Sequence, residues 1–438
     1  LAPLPLARPP AGRPFAWAGL FARSARVPWP AALRDDLAAE YRFDFRAGRV
    51  DPAALPIQDL RWAFARPFES RARLRGLAAH CDPFGWPPLR RELARYLVAR
   101  GIECDPADIA IVNGLQHAIE LTARVLLDPG DAAVVEQPGY FGATLAIAAR
   151  GADRLAVDVD DEGLDTTQLA RILRLRRAKL VYVTPATQSP TGVALSPARR
   201  AALLALADEY QVPIFEDDYD CELRYAGPSL PALKATDSAG QVIYAGTFSK
   251  VLFPSLRLGY VVAARPLLER MVAAHTVSSF GTNVVVQAAM TTLLATRGLE
   301  RHVYQVRKRY GARLTALLDG LGRHMPTGVR WTTPRSGHVV WVTLPAGIDA
   351  DRLQQAALAQ RIAYTRGEAF FGDGRGAAHL ALAFTAIEPA AIATGVEALA
   401  ALVGTQLAAG RRAHRLGSRG PQVGAGRATR KERRHAGR

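Results

Sequence analysis

The stretch 241–260, QVIYAGTFSKVLFPSLRLGY, contains two apolar runs separated by a short polar segment. The first run is rich in β-branched residues and stops at Gly-Thr-Phe-Ser-Lys, and the second begins at Arg257 after a Pro-Ser pair. This pattern predicts two β-strands joined by a tight loop. Lys250 therefore lies where two strands end, and not on a solvated face.

The residues around Lys250 predict a binding site for an oxygen-rich anion. The hydroxyls of Thr247 and Ser249 and the guanidinium of Arg257 all donate hydrogen bonds to such a group, and phosphate is the obvious candidate. A lysine that is crowded by a cation and partly desolvated loses basicity, so its neutral amine can form a Schiff base with a carbonyl. A Schiff-base lysine beside a phosphate site indicates pyridoxal phosphate (PLP). The alternative is a surface lysine in an ordinary strand-connecting loop.

A second constellation lies at 212–219, VPIFEDDY, where an apolar strand ends in acids and a tyrosine. PLP acts as an electron sink only while its pyridine nitrogen is protonated, which requires a buried carboxylate beside it. Asp217 fits this function, and the phenol of Tyr219 fits a position near the ring oxygen. Lys250, Asp217 and Tyr219 are thus the candidate catalytic residues. The alternative for the acids is a solvated turn or a cation site.

At this point the chain resembles a known family. The motifs GTFSK with Arg seven residues later, FEDDYDCELRY, EQPGYFGA and QSPTG resemble the class I/II aminotransferase module of fold type I PLP enzymes. The EDDYD-x-E-x-RY form is similar to the version in MocR-type transcriptional regulators, in which this module follows a winged helix. The resemblance extends from about residue 43 to residue 403 and implies a homodimer.

The segment Asn113-Gly114-Leu115-Gln116 ends a predicted strand and begins a helix. Backbone N–H groups of a first helical turn form an anion site, and Gly114 lets the backbone approach closely. The resemblance implies that Gly114, Leu115 and Gln116 bind the PLP phosphate.

Two further loops follow predicted strands. Tyr140 is expected to stack on the PLP ring, whose flat face needs an apolar partner; the alternative is a core tyrosine. In the loop Thr187-Gln188-Ser189, the resemblance implies that either Ser189 or Gln188 contacts the cofactor.

From Ile109 onwards apolar strands alternate with helices, which predicts a mostly parallel sheet covered on both faces. The fold class is α/β, and the resemblance implies PLP-dependent transferase fold type I with a seven-stranded-type sheet. After a helix at 298–323, short strands and two helices predict a smaller α+β C-terminal domain. The predicted units are a Pro/Arg-rich linker (1–40), an N-terminal segment with the large PLP-binding domain (41–300), the small domain (301–404) and a basic disordered tail (405–438).

Composition limits the cellular setting and the partners. The chain has 438 residues and a formal net charge of +16, of which the last 28 residues contribute +9 from ten Lys/Arg and one Glu. Three cysteines without CxxC spacing argue against a disulfide framework or a zinc site and suit a reducing cytoplasm. No metal site is predicted, and no apolar run approaches the ~20 residues that span a bilayer.

One position departs from the family pattern. The last strand of relatives carries an arginine that binds the substrate carboxylate, and Ala381 stands at that position in LALAF. Arg46, His379 and Arg366 are the possible replacements. Such a clamp contributes on the order of 1.5 to 3 kcal/mol.

Two functions are consistent with these residues. The first is a PLP-dependent aminotransferase that reacts with an amino acid or amine donor. The second is the effector-sensing domain of a MocR-type regulator, which involves nucleic acid only through an upstream DNA-binding domain. A weaker third reading is an inert scaffold with a vestigial pocket.

Overall fold

The computed structural model describes residues 17, 20–26, 39–79, 81–228 and 230–417. These residues form two β-sheets with helices packed around them. The strands are β1 Phe43–Phe45, β2 Ile109–Val112, β3 Ala132–Gln137, β4 Asp153–Asp160, β5 Gly163–Leu164, β6 Ala178–Val183, β7 Ile214–Asp218, β8 Val242–Thr247, β9 Gly259–Val262, β10 Arg330–Trp331, β11 Val339–Thr343, β12 Ile362–Arg366 and β13 His379–Ala383. The α-helices are α1 Ile57–Ala65, α2 Arg71–Leu77, α3 Pro87–Leu97, α4 Leu115–Leu126, α5 Phe141–Ala149, α6 Thr166–Leu175, α7 Pro197–Glu209, α8 Arg265–Ser279, α9 Val284–Ala295, α10 Gly298–His324, α11 Ala350–Ala359 and α12 Pro389–Gly417.

The larger sheet has the strand order β2-β9-β8-β7-β6-β3-β4-β5. Strands β4, β3, β6, β7 and β8 run parallel, and β9 lies antiparallel between β8 and β2. The predicted mostly parallel sheet is therefore confirmed. Seven strands make up its body, because β5 is a two-residue antiparallel addition at the edge.

Helices cover both faces of the larger sheet, as its apolar strands require. Ile214 and Phe215 are neighbours on β7 and pack into two separate clusters on opposite faces, since successive side chains of a strand point to opposite sides. The Phe215 cluster includes residues of α4, α5 and α8, and the Ile214 cluster includes residues of α6 and α7.

The strand directions bring the predicted site residues to one edge. Strand β2 runs in the same direction as β8, because both are antiparallel to β9. The carboxyl ends of β2, β3, β6, β7 and β8 therefore meet at one edge, which is where α/β sheets bind ligands.

The smaller sheet has the order β1-β12-β13-β11-β10 and includes a strand from far earlier in the chain. Phe43 and Phe45 lie on β1, which pairs in parallel with β12, so residues 43–45 of the predicted N-terminal segment belong to this sheet. Both phenylalanines are buried against α12, where a Cβ on Gly395 would lie 2.9 Å from either ring. The burial of these two rings explains why the segment crosses to the small sheet.

Helix α12 extends beyond the boundary that the sequence predicts for the basic tail. Residues 405–417 continue the helix, which corrects the predicted start of disorder at 405. These residues are mostly Ala, Leu, Gln and Arg, which are favourable in helices. Residues 418–438, and most of the predicted linker 1–40, lie outside the described residues.

One stretch of α12, Pro389–Ala409, is long and apolar enough to cross a membrane by length and composition, although the sequence pattern had predicted no such run. Its buried residues include Ile392, Val396 and Val403, which pack in the same cluster as residues of α10. The apolar face of this helix is therefore a core-packing face.

Candidate active site

Three consecutive acids at the end of β7 have different surroundings because strand side chains alternate between faces. Glu216 accepts hydrogen bonds from the backbone N–H groups of Leu233 and Lys234, at 2.7 and 2.9 Å. Asp218 accepts from Arg100 and from the hydroxyl of Tyr244, at 2.7 and 2.8 Å.

Asp217 points to the opposite face, and only one of its two carboxylate oxygens has a hydrogen-bond donor in the described part of the chain. The hydroxyl of Tyr182 donates to Asp217 Oδ2 at 2.5 Å, whereas Asp217 Oδ1 is buried and has no partner among the described residues. Burial raises the pKa of Asp217 to about 8, and the nearby acids Asp218, Asp220 and Glu136 add to this while the Tyr182 hydrogen bond opposes it. A buried acceptor without a donor fits a protonated ring nitrogen.

Lys250 lies in the loop between β8 and β9 and is partly buried. Burial lowers the pKa of its ammonium, and the carboxylates of Asp220 and Asp217 oppose that effect. No hydrogen bond or ion pair holds its amine within the part of the chain that the structure describes. An amine of lowered basicity that has no fixed partner is suited to act as a nucleophile.

The predicted hydroxyls and guanidinium lie together next to Lys250. Thr247 Oγ1 and Ser249 Oγ are 2.9 Å apart, and the Ser249 N–H donates to Thr247 Oγ1 at 3.2 Å. Arg257 has a left-handed backbone (φ +49°) at the end of a short 3-10 turn, and its guanidinium donates to the carbonyl of Asn113 at 2.9 Å.

The turn between β2 and α4 forms a cradle beside Arg257. Gly114 has φ +82°, and a Cβ on it would lie 3.1 Å from Arg257 Cζ. A Cβ on Gly259 would lie 2.8 Å from the carbonyl carbon of Gly114, so two glycines let β9 approach the helix start. The N–H groups of Leu115 and Gln116 have no acceptor among the described residues. Free amides, a helix N-terminus and an arginine fit a phosphate.

The side chain of Gln116 has a separate structural contact. Its Nε2 donates to the carbonyl of Gly142 at 2.9 Å, which ties α4 to the start of α5. Only the backbone of Gln116 is therefore directed at the cradle.

Tyr140 is partly buried and directly precedes α5. Burial raises the pKa of Tyr140 to about 12, with a further rise from Asp217 and an opposing effect of Arg257. The phenol of Tyr140 therefore lies close enough to both Asp217 and Arg257 to interact with their charges. This position fits a flat ring that lies against Tyr140.

Tyr219 and Ser189 also meet at this edge. Burial and the charges of Asp220 and Asp217 raise the pKa of Tyr219 well above its usual value, and a hydrogen bond with Ser189 opposes this. Gln188 has other contacts, because its Nε2 donates to the carbonyl of Pro138 at 2.8 Å and its Oε1 accepts from Thr191. Of the two residues that the sequence leaves open, Ser189 is the one that contacts a predicted site residue.

Two buried polar residues escaped the sequence analysis. Tyr182 pairs with Phe215 across β6 and β7, so it shares the face of Asp217 and supplies its hydrogen bond. Glu136 accepts from Thr184 and Gln188, and burial raises its pKa to about 7. The sequence feature that could have identified these two residues is a tyrosine or an acid inside an otherwise apolar strand.

Ala381 is completely buried in an apolar cluster with Val339, Trp341, Phe370 and Ala383. The three possible replacements for a carboxylate clamp have other contacts. Arg46 pairs with Asp44, Arg366 pairs with Asp351 and Glu368, and the His379 ring stacks on Trp341 at 5.0 Å.

Known proteins resemble this chain along most of its length. The model of the family "Aminotransferase class I and II" matches residues 49–390. Aromatic-amino-acid aminotransferase 1 of Thermococcus litoralis is 36% identical over 322 residues, which are 72% of this chain and 77% of that protein. The HTH-type transcriptional regulator TauR of Rhodobacter capsulatus is 32% identical over 365 residues, which are 82% of this chain and 73% of that protein.

Solved structures agree with the sequence relatives. The crystal structure of Pyrococcus horikoshii kynurenine aminotransferase in complex with PMP superimposes with a TM-score of 0.84 and 33% identity, covering 89% of this chain and 98% of that chain. The resemblance that the sequence motifs predict is therefore confirmed, as are the fold class and PLP as the cofactor. The chain belongs to the aminotransferase class I and II family.

Proposed function

We propose that this protein is a PLP-dependent aminotransferase in which Lys250 binds the cofactor covalently and handles the proton of the amino donor. One observation carries the assignment. The partner-free amine of Lys250 and the unsatisfied buried oxygen of Asp217 lie at the same sheet edge as a cradle of free amides and an arginine.

Different residues are placed to bind the ring nitrogen, the phosphate and the ring face of the cofactor. Asp217, which accepts a hydrogen bond from Tyr182, would accept a second one from the ring nitrogen and keep that nitrogen protonated. The phosphate would be held by the N–H groups of Leu115 and Gln116, by the hydroxyls of Thr247 and Ser249 and by the Arg257 guanidinium. The N–H of Gly114 donates to the carbonyl of Val112 at 2.8 Å, so Gly114 contributes through its close backbone approach. Tyr140 would cover one face of the ring, and Tyr219, which interacts with Ser189, would contact the ring oxygen.

When bound, PLP supplies an electron-withdrawing ring that stabilises negative charge at the α-carbon of the amino donor. Lys250 Nζ, once released by the donor, takes the α-proton as a general base and returns it as a general acid. The burial that lowers the pKa of Lys250 keeps a usable share of neutral amine for both functions. Tyr140, which packs against the apolar cluster that includes residues of α4, α5 and α8, would help to exclude water from this proton transfer.

A second candidate function is effector sensing in a transcriptional regulator. The apolar packing around Ala381 favours it, because a standard amino acid finds no arginine at that strand. The relative TauR, named as an HTH-type regulator, supports the same reading. In this case an amino acid or amine binds without turnover, and DNA is contacted only by a domain upstream of this chain. For either function we propose a homodimer in the cytoplasm.

The test is reconstitution with PLP followed by visible spectroscopy. We expect an absorption band that Lys250→Ala abolishes and that Lys308→Ala, at an exposed lysine on α10, leaves intact. A Lys250→Ala protein that keeps the band contradicts the proposal.

A screen of amino acids and amines with a 2-oxo acid then separates the two functions. Turnover supports the aminotransferase. A shift of the band without turnover supports sensing.

A further inference from the structure

The small sheet has one apolar face that points away from its helices. Alternate residues of β11 and β13, such as Val340 and Leu382, belong to the core cluster that includes residues of α10 and α12. Their neighbours on the two strands point the other way, since side chains alternate along a strand, and they pack against the phenylalanine that ends a short turn after β12. We call this second set the apolar wall; it consists of Val339, Trp341, Phe370, Ala381 and Ala383.

The apolar wall borders the site at two points. Val339 follows His338, whose ring meets the Tyr219 ring edge-on with centroids 5.8 Å apart. The carbonyl of Phe370 accepts a hydrogen bond at 2.9 Å from the N–H that directly precedes Tyr140. A ligand held at this edge of the large sheet therefore has the apolar wall on its small-sheet side.

The charged groups on the large-sheet side are mostly acids. The carboxylates of Asp220 and Asp217 oppose the lowered pKa of Lys250, so both lie close enough to interact with its amine, and Glu136 raises the pKa of Asp217 further. The two cations at this edge have other functions, because Arg257 belongs to the phosphate cradle and Lys250 is the reacting amine. A carboxylate on the carbon that carries the substrate amine would therefore meet acids on this side.

Two further arginines, Arg100 and Arg224, line a small cavity beside Asp220. Arg100 is paired with Asp218 at 2.7 Å, and Arg224 Nε donates to the carbonyl of Gly227 at 3.3 Å. The volume of this cavity, about 10 Å³, is enough for one water molecule and too small for a substrate carboxylate.

The basic residues of the small-sheet side are also committed. Arg46, Arg366 and Arg375 are each paired with a carboxylate, at 2.7, 2.6 and 2.7 Å. Arg154, on the neighbouring strand β4 of the large sheet, is exposed. Burial lowers the pKa of His379, which favours its neutral imidazole. The part of the chain that the structure describes thus offers a substrate carboxylate no buried cation of its own at this edge.

We propose that the ligand of this site is a primary amine with an apolar substituent and without a carboxylate on the carbon that carries the amine. Its substituent packs against Val339, Trp341 and Phe370, and burial of that apolar surface favours binding. A carboxylate in the same place loses its hydration without gaining a cation. The inference rests on the proposed function in taking the Lys250 site with PLP as the ligand site, and it holds for turnover and for sensing alike.

The experiment uses the PLP-loaded full chain without a 2-oxo acid, so that no catalytic cycle is completed. Titrations with 2-phenylethylamine and L-phenylalanine compare two probes that differ only in the carboxylate. L-phenylalaninamide replaces the carboxylate by a neutral group of similar size. The initial change of the visible band gives each dissociation constant, which is corrected for the fraction of the probe whose amine is neutral.

We expect 2-phenylethylamine to bind at least about tenfold more tightly than L-phenylalanine, because the carboxylate is desolvated next to acids and apolar side chains. L-phenylalaninamide should lie nearer to the amine than to the amino acid, since it lacks the negative charge.

Two variants test the apolar wall directly. Val339→Lys introduces an ammonium group into the wall, and Val339→Met adds length without charge. We expect Val339→Lys to reduce the preference for 2-phenylethylamine over L-phenylalanine about threefold or more, and Val339→Met to leave that preference near its wild-type value. An equal preference in the two variants overturns the role of the wall. If circular dichroism shows that Val339→Lys does not fold, the wild-type titrations decide.

L-phenylalanine that binds as tightly as 2-phenylethylamine overturns the proposal, as does a PLP-loaded protein whose band responds to neither probe. L-phenylalaninamide that binds as weakly as L-phenylalanine overturns it too, because volume and not charge would then exclude the amino acid. All three results leave the proposed function standing, since the band itself is present. A chain that forms no band with PLP refutes the proposed function and this inference together.

Discussion

Asp217 illustrates how one carboxylate is set apart from its neighbours. Glu216 and Asp218 accept hydrogen bonds on one face of β7, while Asp217 alone faces the site. The sequence predicted Asp217 because the chemistry of PLP requires an acid there. It could not predict Tyr182, because the contact depends on the register between β6 and β7.

The raised pKa of Asp217 makes the stability of the cofactor-free protein depend on pH. The folded state binds this proton more tightly than the unfolded chain, since the pKa is about 8 in place of 3.8. The resulting loss in the free energy of unfolding is absent below pH 3.8 and grows as the pH rises to about 8.

We expect Asp217→Asn to stabilise the cofactor-free protein at pH 8.5 by on the order of 2 kcal/mol and to have little effect near pH 4. Urea unfolding at the two pH values measures this difference. Asp161→Asn, at an exposed acid, is the control. An equal effect of Asp217→Asn at both pH values would show that its carboxyl is not held protonated by burial.

The turn between β2 and α4 is the element on which the phosphate cradle depends. Gly114 combines a positive φ with close contact to Arg257, whereas Gly130 has φ +92° and open space where a Cβ would be. Substitutions at these two glycines therefore distinguish the effect of backbone strain alone from the effect of a steric conflict with Arg257.

We expect Gly130→Ala to cost roughly 1 kcal/mol of unfolding free energy from backbone strain alone, with unchanged PLP affinity. Gly114→Ala should cost at least as much and should also weaken PLP binding about tenfold or more, because the Arg257 guanidinium must shift. Fluorescence titration with PLP measures the affinity. Equal PLP affinities in the two variants would contradict the assignment of the cradle.

Elements were predictable where their signal is local. Alternating apolar strands and helices identified the large sheet and its ligand-binding edge, because each strand is buried on both faces. Strand β1 was missed as part of the small sheet, since its pairing partner β12 lies more than 300 residues away. The end of α12 was missed because a basic composition obscured favourable helix propensity in residues 405–417.

The two sheets of the molecule come together next to the site, and the apolar cluster around Ala381 lies on the smaller sheet. Phe370 contacts the large domain there, because its carbonyl accepts from the N–H of Gly139, next to Tyr140. The sequence indicated the missing arginine, but not that apolar side chains surround its position, because that packing is decided by strand pairing between β11 and β13.

We expect Ala381→Arg to destabilise the protein by about 3 kcal/mol or more, because a buried guanidinium without a carboxylate partner adds volume and charge to a packed cluster. Ala401→Arg, on the exposed face of α12, should change the free energy of unfolding by less than about 0.5 kcal/mol. Chemical unfolding of both variants measures the difference. A well-tolerated Ala381→Arg protein would show that this position opens to a ligand.

The identity of the amine that binds PLP can be read directly from the whole protein. Reduction of the PLP-loaded chain with borohydride, followed by peptide mass spectrometry, locates the phosphopyridoxyl group among the five lysines of the sequence. We predict modification of Lys250 and of no other lysine, suppressed by Lys250→Ala. A group found on another lysine, or none after loading, would contradict the assignment of this site.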